Sequence, residues 1–302
     1  MTERRPTVPT APAVHVVIVN FNSGALLGRC LDGVTAQSLP LQVTIVDNAS
    51  SDNSMAQAGG KGSGTPRIIR NKRNLGLAKA VNQALVNAPP APYTLLLNPD
   101  CVLAPMCLAR LLEALENAAV AAMAGPLILN PDGSEQRGCR RELPSLYNTV
   151  GRFLGGQQGR HGLDLSGLPL PSRPTPVEAI SGACMLIRTC VLEDLGGLDE
   201  GYFLHFEDLD LCQRIVLRGH HILFVPEARA AHWQGEGSRS TPDRVIAEKH
   251  RSMYRYLRTH LLTGPRRVLS PLAWSVIMGR MLIARLAARL SRRPQGEARR
   301  GV

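Results

Sequence analysis

Residues 14–47 read VHVVIVNFNSGALLGRCLDGVTAQSLPLQVTIVD, and the change of period inside this stretch decides the fold. VHVVIV at 14–19 is a short β-branched run, which suits a buried strand. A helical period follows from about 24 to 36, and LQVTIV at 41–46 is strand-like again. Strand, helix and strand at this spacing make a parallel unit with a right-handed crossover. The pattern repeats outward: RIIR at 67–70 precedes a helix over about 75–87, and YTLLL at 93–97 precedes a helix over about 105–117. AGGKGSGTP at 58–66 reads as a loop, and the Gly/Pro-rich stretch 151–176 has no sustained period. Beyond it come an apolar strand over 179–187, a helix over about 207–218, a strand HILFV at 221–225 and a long helix over about 242–262. The expectation is an α/β domain over 14–262 with a mostly parallel central sheet flanked by helices. A proline-rich lead-in at 1–13 precedes it and a basic helical tail at 263–302 follows.

The chain has 302 residues, enough for one large α/β domain or two ordinary ones. With 44% hydrophobic and 20% charged residues it lies outside the regime of disorder. The net charge of +11 is a property of one end: residues 249–302 hold 13 Lys and Arg against the single acid Glu297. Seven cysteines without a C-x-x-C pair fit reduced thiols in a cytosolic protein. The N-terminus lacks the apolar run of an export signal. The longest uncharged C-terminal stretch, Val268 to Gly279, has 12 residues and contains Pro271. That is short of the roughly 20 needed to cross a bilayer, so no transmembrane helix is expected.

Ligands of an open parallel sheet bind outside the carboxyl ends of its strands. Here each of the first four strands ends in a polar cluster: Asn20-Phe21-Asn22, Asp47 to Asp52, Arg70 to Asn74, and Asn98-Pro99-Asp100. Ser23 and Asn74 also suit ordinary turn or cap roles. There is no G-x-G-x-x-G after the first strand, no P-loop, no G-x-S-x-G and no H-E-x-x-H, which argues against dinucleotide enzymes, P-loop NTPases and those hydrolases. Phosphates bound here need another neutraliser, and Asp100 stands where a ligand for a divalent cation is wanted. The string FLHFEDLDLCQR puts Glu207, Asp208 and Asp210 in one helical turn. Three carboxylates repel unless a cation or a proton-transfer role justifies them. His232, just beyond the last strand, reads on its own as a structural histidine.

Taken in order, IVNFNSGALLGRCLDGV, IVDNASSDNS, RNKRNLGLAKAVNQAL, LLLNPDC, ISGACMLIR, GYFLHFEDLDLCQR and the H-x-x-G-x-G-S run from His232 resemble the family 2 glycosyltransferases of GT-A fold. Within them they look like the branch that includes bacterial rhamnosyltransferases. The resemblance implies that 14–100 is the nucleotide-sugar half and 101–262 the acceptor and catalytic half. It assigns Asn20, Asn22, Asp47, Arg70, Asn74, Asn98 and Gly182 to the nucleotide sugar, with Asp47 at the base. It makes Asp208 the general base with Glu207 beside it, and Asp100 and His232 the ligands of Mg²⁺ or Mn²⁺. The first Asp of the family's D-x-D motif is Asn98 here, leaving Asp100 as its only carboxylate. The implied reaction is inverting transfer of a sugar, a 6-deoxyhexose such as rhamnose. The favoured donor is dTDP-rhamnose, with a UDP-sugar as the alternative, and the acceptor is a lipid-linked or cell-surface glycan.

A sugar nucleotidyltransferase fits less well: the string GSGTPR at 62–67 is similar to its glycine-rich signature but follows the wrong strand. A non-catalytic membrane-surface scaffold is the other class. The tail is expected to meet an anionic membrane, placing the protein in the cytoplasm on the inner face of the cytoplasmic membrane. Arg285, Arg289, Arg292 and Arg293 fall in one sector beside Leu282, Ile283, Leu286 and Leu290. The alternative for that helix is packing on the catalytic domain or on a second copy in a homodimer. Nucleic acid is not expected, because the tail has too few aromatics to stack on bases.

Overall fold

The computed structural model describes residues 13–59, 65–86, 88–145, 163–233 and 242–290. The glycines and serine of the H-x-x-G-x-G-S run, the glycines of GSGTPR, much of 151–176, and Arg292 and Arg293 lie outside them. The chain divides into two units, Met1–Phe203 with Glu207–Gly237, and Leu204–Phe206 with Ser238–Val302.

In the first unit β1 (Val14–Asn20), α1 (Leu26–Thr35), β2 (Leu41–Asp47), β3 (Arg67–Arg70), α2 (Leu77–Leu85), β4 (Tyr93–Leu97), β5 (Cys101–Leu103) and α3 (Cys107–Glu116) follow one another. Then come β6 (Ala121–Leu129), β7 (Arg140–Arg141), β8 (Thr175–Val177), β9 (Ala179–Ile180), β10 (Cys184–Arg188), α4 (Thr189–Asp194), α5 (Glu207–Leu217) and β11 (His221–His232). The main sheet runs β3-β2-β1-β4-β10-β6-β11-β5, with β8 beside β11. β1 to β4 are parallel, as their β-branched runs and crossover helices demand. β10 is antiparallel to both neighbours, and β5 is antiparallel to β11. Such a mixed sheet is joined over a core that includes Ile18, Ile45, Leu95, Leu111 and Phe224, all completely covered.

Three local readings change. The expected strand over 179–187 is two strands, β9 pairing with β7 in a small second sheet and β10 in the main one. The chain crosses between them at Gly182. β6 had no expectation at all: its sequence AAMAGPLIL carries Gly125 and Pro126, residues that speak against a central strand. It is tolerated because Pro126 pairs with Val225, where β11 shifts register before Arg229. A bulge there absorbs the amide that proline cannot donate. β11 is also longer than expected, so His232 is its last residue and not a loop residue beyond it.

The second unit is helical: α6 (Pro242–Tyr256), a π turn (Leu257–Leu261), a 3₁₀ turn (Gly264–Leu269) and α7 (Ser270–Leu290). Leu204–Phe206 belong to it, with Ser252 Oγ donating to the Leu204 carbonyl at 3.0 Å and the Phe206 ring 5.8 Å from that of Tyr256. The absence of a transmembrane helix is expected from the shortness of the uncharged stretch, and that premise does not hold. Pro271 is the second residue of α7, where its missing N–H costs nothing. Gly264–Arg289 therefore forms a continuous helical run long and apolar enough to span, with mean hydropathy 1.3 over its best window.

Candidate active site

Parallel register places Asn20 beside Asp47 and Asp47 beside Arg70, so the first three polar clusters share one edge of the sheet. Asn20 is completely buried. Its Nδ2 donates to Asp47 Oδ1 (3.3 Å), Ser50 Oγ (3.0 Å) and Ser54 Oγ (2.9 Å), while Ser23 Oγ donates to its Oδ1. It is thus the knot that ties the β1 end to the loop after β2. Asn22, with φ +50°, accepts from the Ser51 N–H at 2.8 Å. Asp47 takes the Ser50 N–H on Oδ1 as well, which directs its other oxygen away from the knot. Arg70 is exposed at the edge strand. Asn74 accepts the Gly76 N–H at 2.9 Å in a local Asx turn, the ordinary role its residue type suggests.

The fourth cluster is the most constrained. Cys101 of β5 pairs with His232 of β11, so Asp100 and His232 meet although 132 residues separate them. Asp100 Oδ1 lies 3.0 Å from His232 Nε2, and Asn98 Nδ2 lies 3.5 Å from the same nitrogen. On the far side His232 Nδ1 is 2.7 Å from Gln136 Oε1. Gln136 Nε2 donates to the His232 carbonyl (3.2 Å) and to Asn130 Oδ1 (3.0 Å), which fixes its oxygen as the acceptor. His232 Nδ1 therefore carries a hydrogen, and Nε2 faces a carboxylate oxygen. Two acceptors at that distance require a proton or a cation between them. A buried amide holding one imidazole nitrogen is the usual way a ligand histidine is oriented. Among the described residues no three His, Cys, Asp or Glu side chains converge on one point. Asp100 and His232 are therefore the two side chains of these types that meet here.

The acidic turn of α5 resolves into three separate fates and needs no shared cation. Asp210, 1% exposed, is bonded to Arg214 at 2.8 Å, and Arg214 also donates to the carbonyls of Leu195 and Gly197. This ties the helix to the preceding loop. Asp208 Oδ2 receives Arg141 Nη2 at 2.5 Å, and its Oδ1 accepts the Leu209 N–H at 2.8 Å. Glu207 is buried with Oε2 unpartnered; burial, then the Asp208 charge, push its carboxyl up to about 8. Asn98, Gly182, Glu207 and Asp208 line one cavity of about 20 Å³, room for roughly one water. A Cβ on Gly182 would stand 2.9 Å from that of Asp208.

Two side chains of this arrangement carry no signal in the sequence reading. Gln136 and Arg141 sit in SEQRGCRRE, a stretch with neither period nor motif, and only the paired adjacent arginines could have drawn notice. Arg141 reaches Asp208 because β7 pairs with β9 immediately before Gly182.

A model of the family described as "Glycosyltransferase like family 2" matches residues 11–255. The chain is 29% identical, over 92% of its length and 95% of the relative's, to the N-acetylglucosaminyl-diphospho-decaprenol L-rhamnosyltransferase of Mycobacterium tuberculosis. It is 25% identical to the rhamnosyltransferase WbbL of Escherichia coli (strain K12), over 81% of this chain and 92% of that one. Among solved structures it resembles the mannosyltransferase PcManGT of Pyrobaculum calidifontis, determined with GDP-Man and Mn²⁺, at a TM-score of 0.55 and 16% identity, covering 95% of this chain and 77% of that one. The fold is that of the GT-A glycosyltransferases.

Proposed function

The chain belongs to glycosyltransferase family 2, and on that premise we propose that it transfers L-rhamnose from dTDP to a hydroxyl of a lipid-linked glycan. The sugar and the acceptor class are supported by the two relatives, both rhamnosyltransferases and one acting on a diphospho-decaprenol glycan by its name. A UDP-linked hexose is the alternative donor. The enzyme would work in the cytoplasm, at the membrane face where such an acceptor resides.

The observation that supports the reading is the Gln136–His232–Asp100 arrangement, an imidazole held by a buried amide with its other nitrogen 3.0 Å from a carboxylate oxygen. Asp100 and His232 would hold Mg²⁺ or Mn²⁺, which neutralises the charge of a departing diphosphate. Asp47 and Asn22, at the adjoining strand ends, would take the nucleoside, and exposed Arg70 the anionic donor. Asp208 lines the same cavity as Asn98. Its role is to take the acceptor hydroxyl proton as the oxygen attacks the sugar's anomeric carbon and the bond to the diphosphate breaks. Attack opposite the leaving group inverts the anomeric centre. Arg141 holds one Asp208 oxygen and the helix backbone the other, so the base is aimed before substrate arrives, as efficient proton transfer requires. Glu207, protonated at neutral pH, adds no second negative charge beside it.

Release of nucleoside diphosphate from a donor panel, with a polyprenyl-diphosphate GlcNAc acceptor and with Mg²⁺ or Mn²⁺, tests this. Turnover of dTDP-L-rhamnose that depends on acceptor and ion is expected. Failure of every donor under both ions would refute it.

A further inference from the structure

α7 is apolar on two opposite faces, and among the described residues only one of them is packed. Ile277, 2% exposed, starts a stripe that continues through Met281, Ala284 and Ala288 at four- and three-residue steps, and along this helix α6 packs. Leu272, Leu282, Ile283 and Leu286 point the other way and are 65, 57, 68 and 59% exposed. They fall within about 100° of the helix circumference. The exposed Arg280 and Arg289 stand at the two margins of that sector. From Leu257 to Leu290 there are six arginines and no acidic residue.

We propose that this bare face of α7 lies in the plane of an anionic phospholipid surface, with its leucines and isoleucine among the upper acyl chains and the bordering arginines at headgroup level. An apolar stripe between cationic margins is the chemistry of an interfacial helix. The packing on α6 separates this from a spanning helix. α6 carries Arg244, Glu248, Lys249, Arg251 and Arg255, and its Asp243 is bonded to Arg289 of α7 at 3.3 Å. A spanning α7 either draws those charges into hydrocarbon or abandons α6 and uncovers Ile277; an in-plane α7 does neither. The arginine margins also distinguish lipid from a second copy of the chain, because a two-fold contact through this face opposes like charges. The inference is independent of which sugar the enzyme transfers.

The full-length protein, tagged at both ends, is mixed with vesicles of phosphatidylcholine alone or enriched in phosphatidylglycerol. Pelleting with the anionic vesicles only, weakened by salt, and protease access to both tags from outside are expected. The L282E/I283E/L286E variant changes exposed positions only, and its thermal melt establishes that it is folded. Its bound fraction should fall roughly tenfold or more, since it removes apolar insertion and adds like charge to the surface. Equal binding to neutral vesicles, unchanged binding of the folded variant, or protection of the C-terminal tag alone overturns the inference. A wild-type dimer in vesicle-free sedimentation that the variant dissolves overturns it too, assigning the face to a second copy.

Discussion

His232 owes its chemistry to Gln136, which lies 96 residues away and decides which ring nitrogen carries the hydrogen. Gln136→Leu removes the acceptor and leaves the tautomer unset. An orienting partner of this kind typically contributes about 10- to 100-fold in metal affinity, so Mn²⁺ titration of the variant should shift by that factor while the fold survives. Asp208→Asn keeps the shape of the side chain and removes its basicity. Loss of a positioned base lowers rate by roughly 10²- to 10⁴-fold; donor binding, read by calorimetry, should stay nearly intact. Retention of most of the turnover would move the base to another carboxylate. Glu207 offers a prediction with a sign. Burial, then the Asp208 charge, push its folded carboxyl up to about 8 from the ordinary 4.5, so between those values the folded chain holds a proton that the unfolded chain has released. Stability therefore falls as pH rises through that window and levels above it. Glu207→Gln has no such proton, and its melting temperature relative to wild type should climb between pH 5 and 8. Parallel pH profiles of the two proteins would contradict the assignment.

Among the elements, the crossing from β9 to β10 bears most directly on the site. Gly182 lies against the start of α5, where a side chain would meet Asp208 at 2.9 Å. Gly182→Ala forces α5 or β10 to yield. Overpacking of this size costs about 1–3 kcal/mol, and displacement of the base should lower turnover more than the melting temperature suggests. A variant of normal kcat would show that the approach is not needed. β6 and β11 make the complementary point about elements. Each contains a proline, Pro126 and Pro226, yet both run through the middle of the sheet because the register shift in β11 accommodates Pro126. Period and composition within β6 do not reveal this, since the compensation lies on a strand about a hundred residues later.

Across the whole molecule, the seven cysteines are all unpaired, and six are buried. Burial raises the thiols of Cys107, Cys139 and Cys212 to about 12, which leaves them unreactive at neutral pH. Cys190 is the exposed one. Native protein should therefore titrate with one fast thiol and denatured protein with all seven. Several fast thiols in the native state would mean that the core is looser than described. The proposed cation site has an equally global readout: excess chelator should abolish transfer, and Mg²⁺ or Mn²⁺ should restore it. Full activity in chelator would remove Asp100 and His232 from the reaction.

The parallel half of the sheet, the order of its polar strand ends and the acidic turn of α5 were determined by the sequence itself. Each is written in a run of about a dozen residues, where side-chain period or local spacing is sufficient. Tertiary structure decided what those residues touch. Arg141 reaches Asp208 across 67 positions, and Asp100 reaches His232 across 132. The split of 179–187 and the two-sidedness of α7 likewise depend on β7 and α6, partners that no local window contains. A carboxylate's charge, an imidazole's tautomer and the bareness of an apolar face are set by what packs against them, and the chain assembles those neighbours only by folding.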